Sequence, residues 1–167
     1  MMKKMIAAAL ALVMMLALAA CGSGNGSGDA AKEAPDLTKY YEDFMASLGE
    51  GNAPAMISAL EDPTFVDSFF PGLSGYELNQ CVLQMAAMSQ VGFELDLVEC
   101  TSADDVEAVK EIFQARMDSQ IAGGAFYPAV AEAWEKGEII VNGNVVALIV
   151  AGEAQADAVE AFNKLFA

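Results

Sequence analysis

Carboxylates are the main groups for chemistry in this sequence. Its 167 residues contain no histidine, which removes the commonest general base and the usual nitrogen ligand of transition metals. Acid–base catalysis would therefore need a pair of carboxylates, as in glycoside hydrolases. Glu94 and Asp96 stand two residues apart in a predicted strand, so they share one face. Because they alternate with apolar residues over 93–97, we interpret them as the solvated face of that strand.

Two other groups of residues could suggest a site. Asp104 and Asp105 are adjacent acids, but they fall in the predicted first turn of a helix, where the helix dipole favours negative charge. Four aromatic residues could form a platform for a sugar or peptide, but helical spacing puts most of them in the core: Tyr40, Tyr41, Tyr127 and Trp134. We therefore predict no catalytic residue, no metal site and no cofactor.

The N-terminal segment has the layout of a signal peptide. Lys3 and Lys4 precede an uncharged run over residues 5–20, which ends in small residues. A membrane-spanning helix needs about 20 apolar residues, and this run is shorter and continues into a glycine- and serine-rich stretch. We predict that residues 1–20 are removed on export.

The residues at the predicted cleavage point are Leu18, Ala19, Ala20 and Cys21, which resemble the lipobox of bacterial lipoproteins. The resemblance implies that cleavage precedes Cys21 and that its thiol is joined to diacylglycerol. Two or three acyl chains, such as palmitate, anchor a protein stably, whereas one chain binds only marginally. The expected location is therefore the extracytoplasmic face of the cell membrane.

The mature chain is strongly acidic. Lys3 and Lys4 leave with the signal peptide, so six basic residues remain against 24 acidic ones, a formal charge of −18. Such a charge repels phosphate backbones and anionic headgroups, so we expect no binding to nucleic acid and attachment to the membrane through the lipid alone. Residues 21–35 are small and polar and are predicted to form a flexible tether, and residues 36–167 a single domain.

Hydrophobic periodicity predicts the elements of this domain. The stripe of Val109, Phe113, Met117 and Ile121 marks a core-facing helix, and Asn142-Gly143 predicts a hairpin turn. Residues 81–88 fit a strand or a helix equally well. The other predictions are helices over 36–48, 53–60, 127–136 and 152–167, short helical turns over 64–70 and from residue 74, and strands over 92–100, 138–141 and 144–151.

Several of these segments together resemble domain of unknown function 4358, a family of lipoproteins found mainly in low-GC Gram-positive bacteria. The resemblance covers roughly residues 36–167 and is carried by residues 76–99, 103–109, Tyr127-Pro128, Gly143-Asn144 and 158–164. It implies that residues 81–88 form a strand paired with 92–100. The chain departs from the family at Ala86 and Ala87, where proline and methionine are more usual. The family has no established activity, so it assigns no functional residues.

The predicted architecture is an α+β domain. Two hairpins form a four-stranded antiparallel sheet, helices pack on one face of it, and two N-terminal helices precede it. Matching the apolar positions of the first hairpin puts odd residues opposite odd ones, so that Cys81 and Cys100 face opposite sides. This register favours two reduced thiols over a disulfide.

The expected function is a noncatalytic binding or interaction domain, which acts on a partner protein or envelope component at the membrane surface. It predicts that an apolar or aromatic patch remains exposed on the folded domain. Two alternatives are a carboxylate-dependent hydrolase of envelope glycan, which needs two acids across a cleft, and a lipoprotein that captures a cation or solute.

Overall fold

The computed structural model describes residues 34–167, so the signal peptide, the lipobox, Cys21 and nearly all of the tether lie outside the described residues. The domain is an α+β fold with five helices and a five-stranded antiparallel sheet in the order β1-β2-β3-β5-β4. Its elements are α1 (Leu37–Ser47), β1 (Met56–Ser58), α2 (Pro63–Phe69), β2 (Leu78–Ala86), β3 (Glu94–Cys100), α3 (Val106–Ser119), α4 (Pro128–Glu135), β4 (Glu138–Asn142), β5 (Val145–Val150) and α5 (Gln155–Lys164).

Local sequence signals define several of these boundaries. The Asp36 side chain accepts a hydrogen bond of 2.8 Å from the Lys39 backbone N–H and so caps α1. Pro128 occupies the first turn of α4, where its missing N–H costs no hydrogen bond. The two-residue turn Gly143-Asn144 joins β4 to β5, one position later than predicted, since Asn142 is still in β4 opposite Val145; Gly143 adopts the positive φ of 58° that such a turn requires. The predicted hairpin is confirmed.

The predicted helix over 53–60 is wrong. Its centre is strand β1, in which Met56 lies opposite Ala86 and Ile57 opposite Met85. A three-residue strand is too short to show a period of its own, and it exists because the end of β2 offers it unpaired backbone groups. The sheet therefore has five strands where the sequence predicted four, and a single helix, α1, precedes it.

Helices cover both faces of the sheet, so the prediction of a one-sided sheet is wrong. The first core contains Phe113 of α3 and Trp134 of α4, packed with β-strand residues such as Leu148. The second core lies on the opposite face and contains Phe44 of α1 and Phe162 of α5. Strand β5 is buried along its whole length, as expected for a strand with a core on each side.

The pairing of β2 with β3 also differs from the prediction. Leu83 lies opposite Asp96 and Cys81 opposite Val98, so odd positions of β2 face even positions of β3. Cys81 and Cys100 consequently share the face of the first core. Both are free thiols in the structure, so the expectation of reduced cysteines agrees with it although the predicted register does not.

No helix within residues 34–167 is long and apolar enough to cross a bilayer.

Candidate functional site

Glu94 and Asp96 are buried in the first core, with 3% and 0% of their surface exposed. The prediction of a solvated strand face is therefore wrong. Strand β3 lies between β2 and β5, and α3 and α4 pack over the face that carries both acids. Two carboxyl groups in an apolar interior need a partner, because an isolated buried charge is very costly.

That partner is Arg116 of α3. Its Nε donates to Glu94 Oε1 at 2.8 Å and its Nη2 to Oε2 at 2.7 Å, a two-pronged pair with both side chains nearly buried. The guanidinium carbon also lies 4.8 Å from the ring centre of Phe69 and 5.3 Å from that of Trp134. Burial alone would lower the pKa of Arg116, but the hydrogen bonds and charge of Glu94 outweigh it and raise that pKa. Arg116 is permanently charged.

The spacing of Arg116 in the sequence already indicates that its side chain faces the core. Arg116 follows Val109 by seven residues and Phe113 by three, which puts it on the same face of α3 as the core stripe. A basic residue on that stripe requires a buried acid, and Glu94 is 22 positions away in sequence. Only the fold brings the two together.

Asp96 is the third member of the cluster, and its surroundings favour the protonated form. Neither of its carboxyl oxygens accepts a hydrogen bond within the described part of the chain. Burial, followed by the charge of Glu94 and a hydrogen bond to it, raises the pKa of Asp96 well above its ordinary range. A protonated Asp96 can donate to Glu94, and this outweighs the Gln84 backbone N–H and the charge of Arg116, which favour the ionised form. The cluster thus holds two carboxyl groups against one cation.

A cavity of about 140 Å³ opens beside this cluster. We call it the Trp134 cavity, because the only tryptophan of the chain lines it. It lies where β2 ends and β3 begins, beneath the turn that follows α3. The polar part of its lining consists of the Glu94–Arg116 pair, Ser89 and Gln120. The rest of the lining is Met85, Ala86, Met88, Val91, Phe93, Gly124, Ala125, Val130 and Trp134.

A π-helical turn, Gln120–Gly124, forms one side of the cavity mouth. Gly123 has a φ of 135°, which only glycine adopts without strain. A Cβ on Gly124 would lie 2.9 Å from the Ser119 carbonyl oxygen, so no larger residue fits. Ile121, which helical spacing predicts in the core, lies beyond the end of α3 at Ser119 and is exposed.

Four large apolar side chains are exposed on the segments that form this mouth. We call them the apolar rim: Met88 (55% exposed), Ile121 (45%), Phe126 (85%) and Tyr127 (40%). The rings of Phe126 and Tyr127 contact each other edge to face, with centres 5.7 Å apart. The rim lies in two stretches, residues 85–93 and 119–131, that contain no charged residue.

The described surface is acidic, and its basic side chains already form ion pairs with acidic residues. Residues 34–167 contain 22 acidic and five basic residues. Each basic residue within that range is paired with an acid: Lys39 with Asp43, Lys110 with Glu107, Arg116 with Glu94, Lys136 with Glu132 and Lys164 with Glu160. An anionic ligand would thus meet no unpaired cation on the described surface.

The other residues considered from sequence do not converge on a site. The Ser102 hydroxyl accepts from the Asp104 N–H in the short turn before α3, so Asp104 and Asp105 lie at a helix start as expected. No group of three potential metal ligands occurs among residues 34–167. Tyr40 is buried in the second core, where its hydroxyl donates to the Ala158 carbonyl, far from Trp134 in the first core. The aromatic residues therefore form no common platform.

A wider groove of about 540 Å³ runs between β4 and α5. Glu138 and Glu160 line it, and the Glu160 carboxylate is held by Lys164 at 2.6 Å. It contains no buried polar group and no aromatic ring. The Trp134 cavity is therefore the stronger candidate, although it is the smaller space.

Comparison with known proteins adds no relative: no model of a protein family, no curated protein and no solved structure matches this chain. Its function has to be inferred from its own residues and their geometry.

Proposed function

We propose that this chain is a lipid-anchored protein of the extracytoplasmic membrane face, attached through Cys21, whose domain binds an apolar segment of a partner protein at the Trp134 cavity. It is a noncatalytic module in this proposal. The anchor rests on the lipobox-like residues 18–21 and the preceding signal-peptide layout.

The apolar rim is the observation that carries the binding role. Four large apolar side chains are exposed on the two chain segments that carry much of the cavity lining, and Met88 itself lines the cavity, on a domain that is otherwise strongly acidic. Exposed apolar groups that cluster around a pocket are typical of interaction sites, whereas scattered ones are ordinary. A pocket that accepts one side chain, ringed by aromatic residues, is the usual form of an interface hot spot.

The point where the tether joins the domain supports the same role. The Gln80 side chain accepts from the Leu37 N–H and donates to the Pro35 carbonyl, so the chain enters the domain beside Gln80. Met85 of the cavity lies five residues farther along the same strand, about 17 Å away at the rise of a β-strand. Pro35 and Leu37 therefore contact the end of β2 that is opposite the cavity.

The geometry gives little support to a glycan hydrolase. Both oxygens of Glu94 accept from Arg116, and Asp96 is fully enclosed, so neither can reach a sugar. Acids also line two other cavities in pairs, but hydrogen bonds from Lys164 and Lys136 lower the pKa values of Glu160 and Glu132. A glycosidase needs a general acid whose pKa is raised.

The anchor is tested by changing Cys21 to serine in the native host. We expect the variant to leave the membrane fraction and to lose the mass of its acyl chains, because serine offers no thiol for lipidation. The Ser23→Ala variant is the matched control and should stay membrane-bound. A Cys21→Ser protein that fractionates like the wild type would refute the anchor.

The binding role is tested by placing a photo-crosslinking amino acid at Phe126 and irradiating intact cells. Val141 is the matched control, because it is an exposed apolar residue on the edge strand β4, near the turn at the opposite end of the sheet. We expect a crosslinked partner from position 126 and none from position 141. Equal yields at the two positions, or no product at 126, would contradict the proposed site.

A further inference from the structure

The size of the Trp134 cavity restricts what can enter it. A cavity of about 150 Å³ holds one benzene-sized group, and this one measures about 140 Å³. Sites for whole small molecules are usually larger, roughly 300–1,000 Å³. The cavity therefore suits a single side chain of a longer chain, and not a complete solute.

The lining restricts the chemistry of that side chain. Met85, Phe93 and Trp134 present methyl, thioether and ring surfaces, and methionine adapts readily to different apolar shapes. The Glu94–Arg116 pair is also in the lining, but its two hydrogen bonds leave no net charge to attract an ion. An apolar anchor such as phenylalanine or leucine is favoured over a charged one.

The charge outside the cavity restricts the residues that flank the anchor. Of the 22 acidic residues within 34–167, five are ion-paired and Asp96 is fully buried, which leaves 16 surface carboxyl groups without a basic partner. They are spread over the described surface, and Asp118 on α3 and Glu135 on α4 are exposed members of this set on the two helices that pack over the first core. A surface of this kind attracts cationic partners and repels anionic ones.

We infer that the occupant of the Trp134 cavity is a basic amphipathic segment of a partner protein, which inserts one apolar side chain into the cavity beside the apolar rim while its lysines or arginines are attracted by the excess of carboxylates on the domain. The inference rests on the proposed binding function and adds the chemistry of the partner. The acidic domain repels an acidic segment, and an uncharged segment gains no electrostatic attraction from it.

Trp134 provides a direct reporter, because it is the single tryptophan and lines the cavity. The probe is a nine-residue peptide without tryptophan, in which one central phenylalanine is flanked by glycine and serine and then by two lysines at each end. We expect it to shift Trp134 emission saturably, and we expect its affinity to fall as salt is raised. Replacing the phenylalanine by alanine at constant charge should weaken binding at least tenfold.

Two further comparisons separate the anchor from the charge. A peptide with glutamate in place of each lysine should bind at least tenfold more weakly at low salt. In the protein, Phe126→Ser should weaken binding of the lysine peptide, while Val141→Ser, at the far end of the sheet, should not. If the phenylalanine and alanine peptides bind equally, charge alone drives the contact and insertion into the cavity is refuted.

The crosslinked partner from position 126 distinguishes this inference from the proposed function. Mass spectrometry of the attached segment should find at least two basic residues beside an apolar one. An acidic or uncharged segment at that position would overturn the inference while the binding function stands. No crosslink at 126 together with no peptide response would overturn both.

Discussion

Replacing Arg116 by methionine tests the buried cluster most directly. Methionine has a similar length and can keep apolar contact with Phe69 and Trp134, so the change removes mainly the charge and the two hydrogen bonds to Glu94. Glu94 is then left in the first core with 3% of its surface exposed and no cation.

The expected loss of stability is large. Removing one member of a buried ion pair costs about 3–5 kcal/mol, because the remaining charge is neither solvated nor paired. In a domain of roughly this size each kcal/mol shifts the melting temperature by about 4 °C, so the Arg116→Met variant should melt about 12–20 °C below the wild type. Urea unfolding followed by far-UV circular dichroism gives the free energy independently of the altered surroundings of Trp134.

The double variant Arg116→Met with Glu94→Gln separates the lost charge from the lost packing. Glutamine is neutral and its carbonyl oxygen can still accept from protonated Asp96, so the double variant should be about 2–3 kcal/mol more stable than Arg116→Met alone. Lys110→Met is the matched control on the same helix. Lys110 pairs with Glu107 on the exposed surface, and its loss should leave the unfolding midpoint almost unchanged.

Two results would refute this account of the cluster. One is an Arg116→Met variant that loses less than about 1 kcal/mol, which would mean that the pair is solvated or readily replaced. The other is a double variant no more stable than the single one, which would assign the loss to packing.

Three further variants test other features of the fold. The raised pKa of Asp96 means that the folded state keeps a proton that the unfolded state releases above its ordinary pKa of 3.8, so wild-type stability falls as pH rises from there toward the raised pKa. Asp96→Asn should abolish this slope, and its advantage over the wild type should grow with pH in urea titrations from pH 4 to 8. Gly92→Ala puts a Cβ 2.5 Å from that of Ala133 and should cost about 1–3 kcal/mol by thermal unfolding, whereas a smaller change would mean that α4 moves freely away from the sheet. Asp36→Ala removes the cap on the Lys39 N–H and should cost about 1 kcal/mol, while Asp36→Asn, which can still accept that bond, should recover most of the loss.

The elements that the sequence predicted well are those with a local cause. The hairpin turn at Gly143-Asn144 follows from backbone conformations that glycine and asparagine adopt readily, although the prediction placed it one residue earlier, and the capped start of α1 follows from the Asp36 side chain. The continuous apolar run of β5 already indicated a central strand. The same run also indicated that both faces of the sheet are covered, because a strand with one solvated face alternates polar and apolar residues.

The candidate site was predicted only in its parts. The sequence identified Glu94 and Asp96 as an acid pair on one strand face, and it placed Trp134 near the core. It did not identify Arg116, and it placed Ile121 in the core. The reason in both cases is that helical spacing describes a regular, continuing helix, whereas the point at which α3 ends and a contact across 22 residues are properties of the folded chain.

Composition and local pattern by themselves determined the acidic character of the chain, the lack of imidazole chemistry, most helix and strand positions, and the lipobox-like segment before Cys21. The tertiary structure decided which surfaces are covered: β1 forms only against the end of β2, and α3 and α4 turn an alternating strand into a buried one. The physical reason is that backbone and capping preferences act between near neighbours, while burial depends on where distant helices dock. The same two carboxyl groups would be solvated on an open sheet, and here one is held by Arg116 and the other keeps its proton.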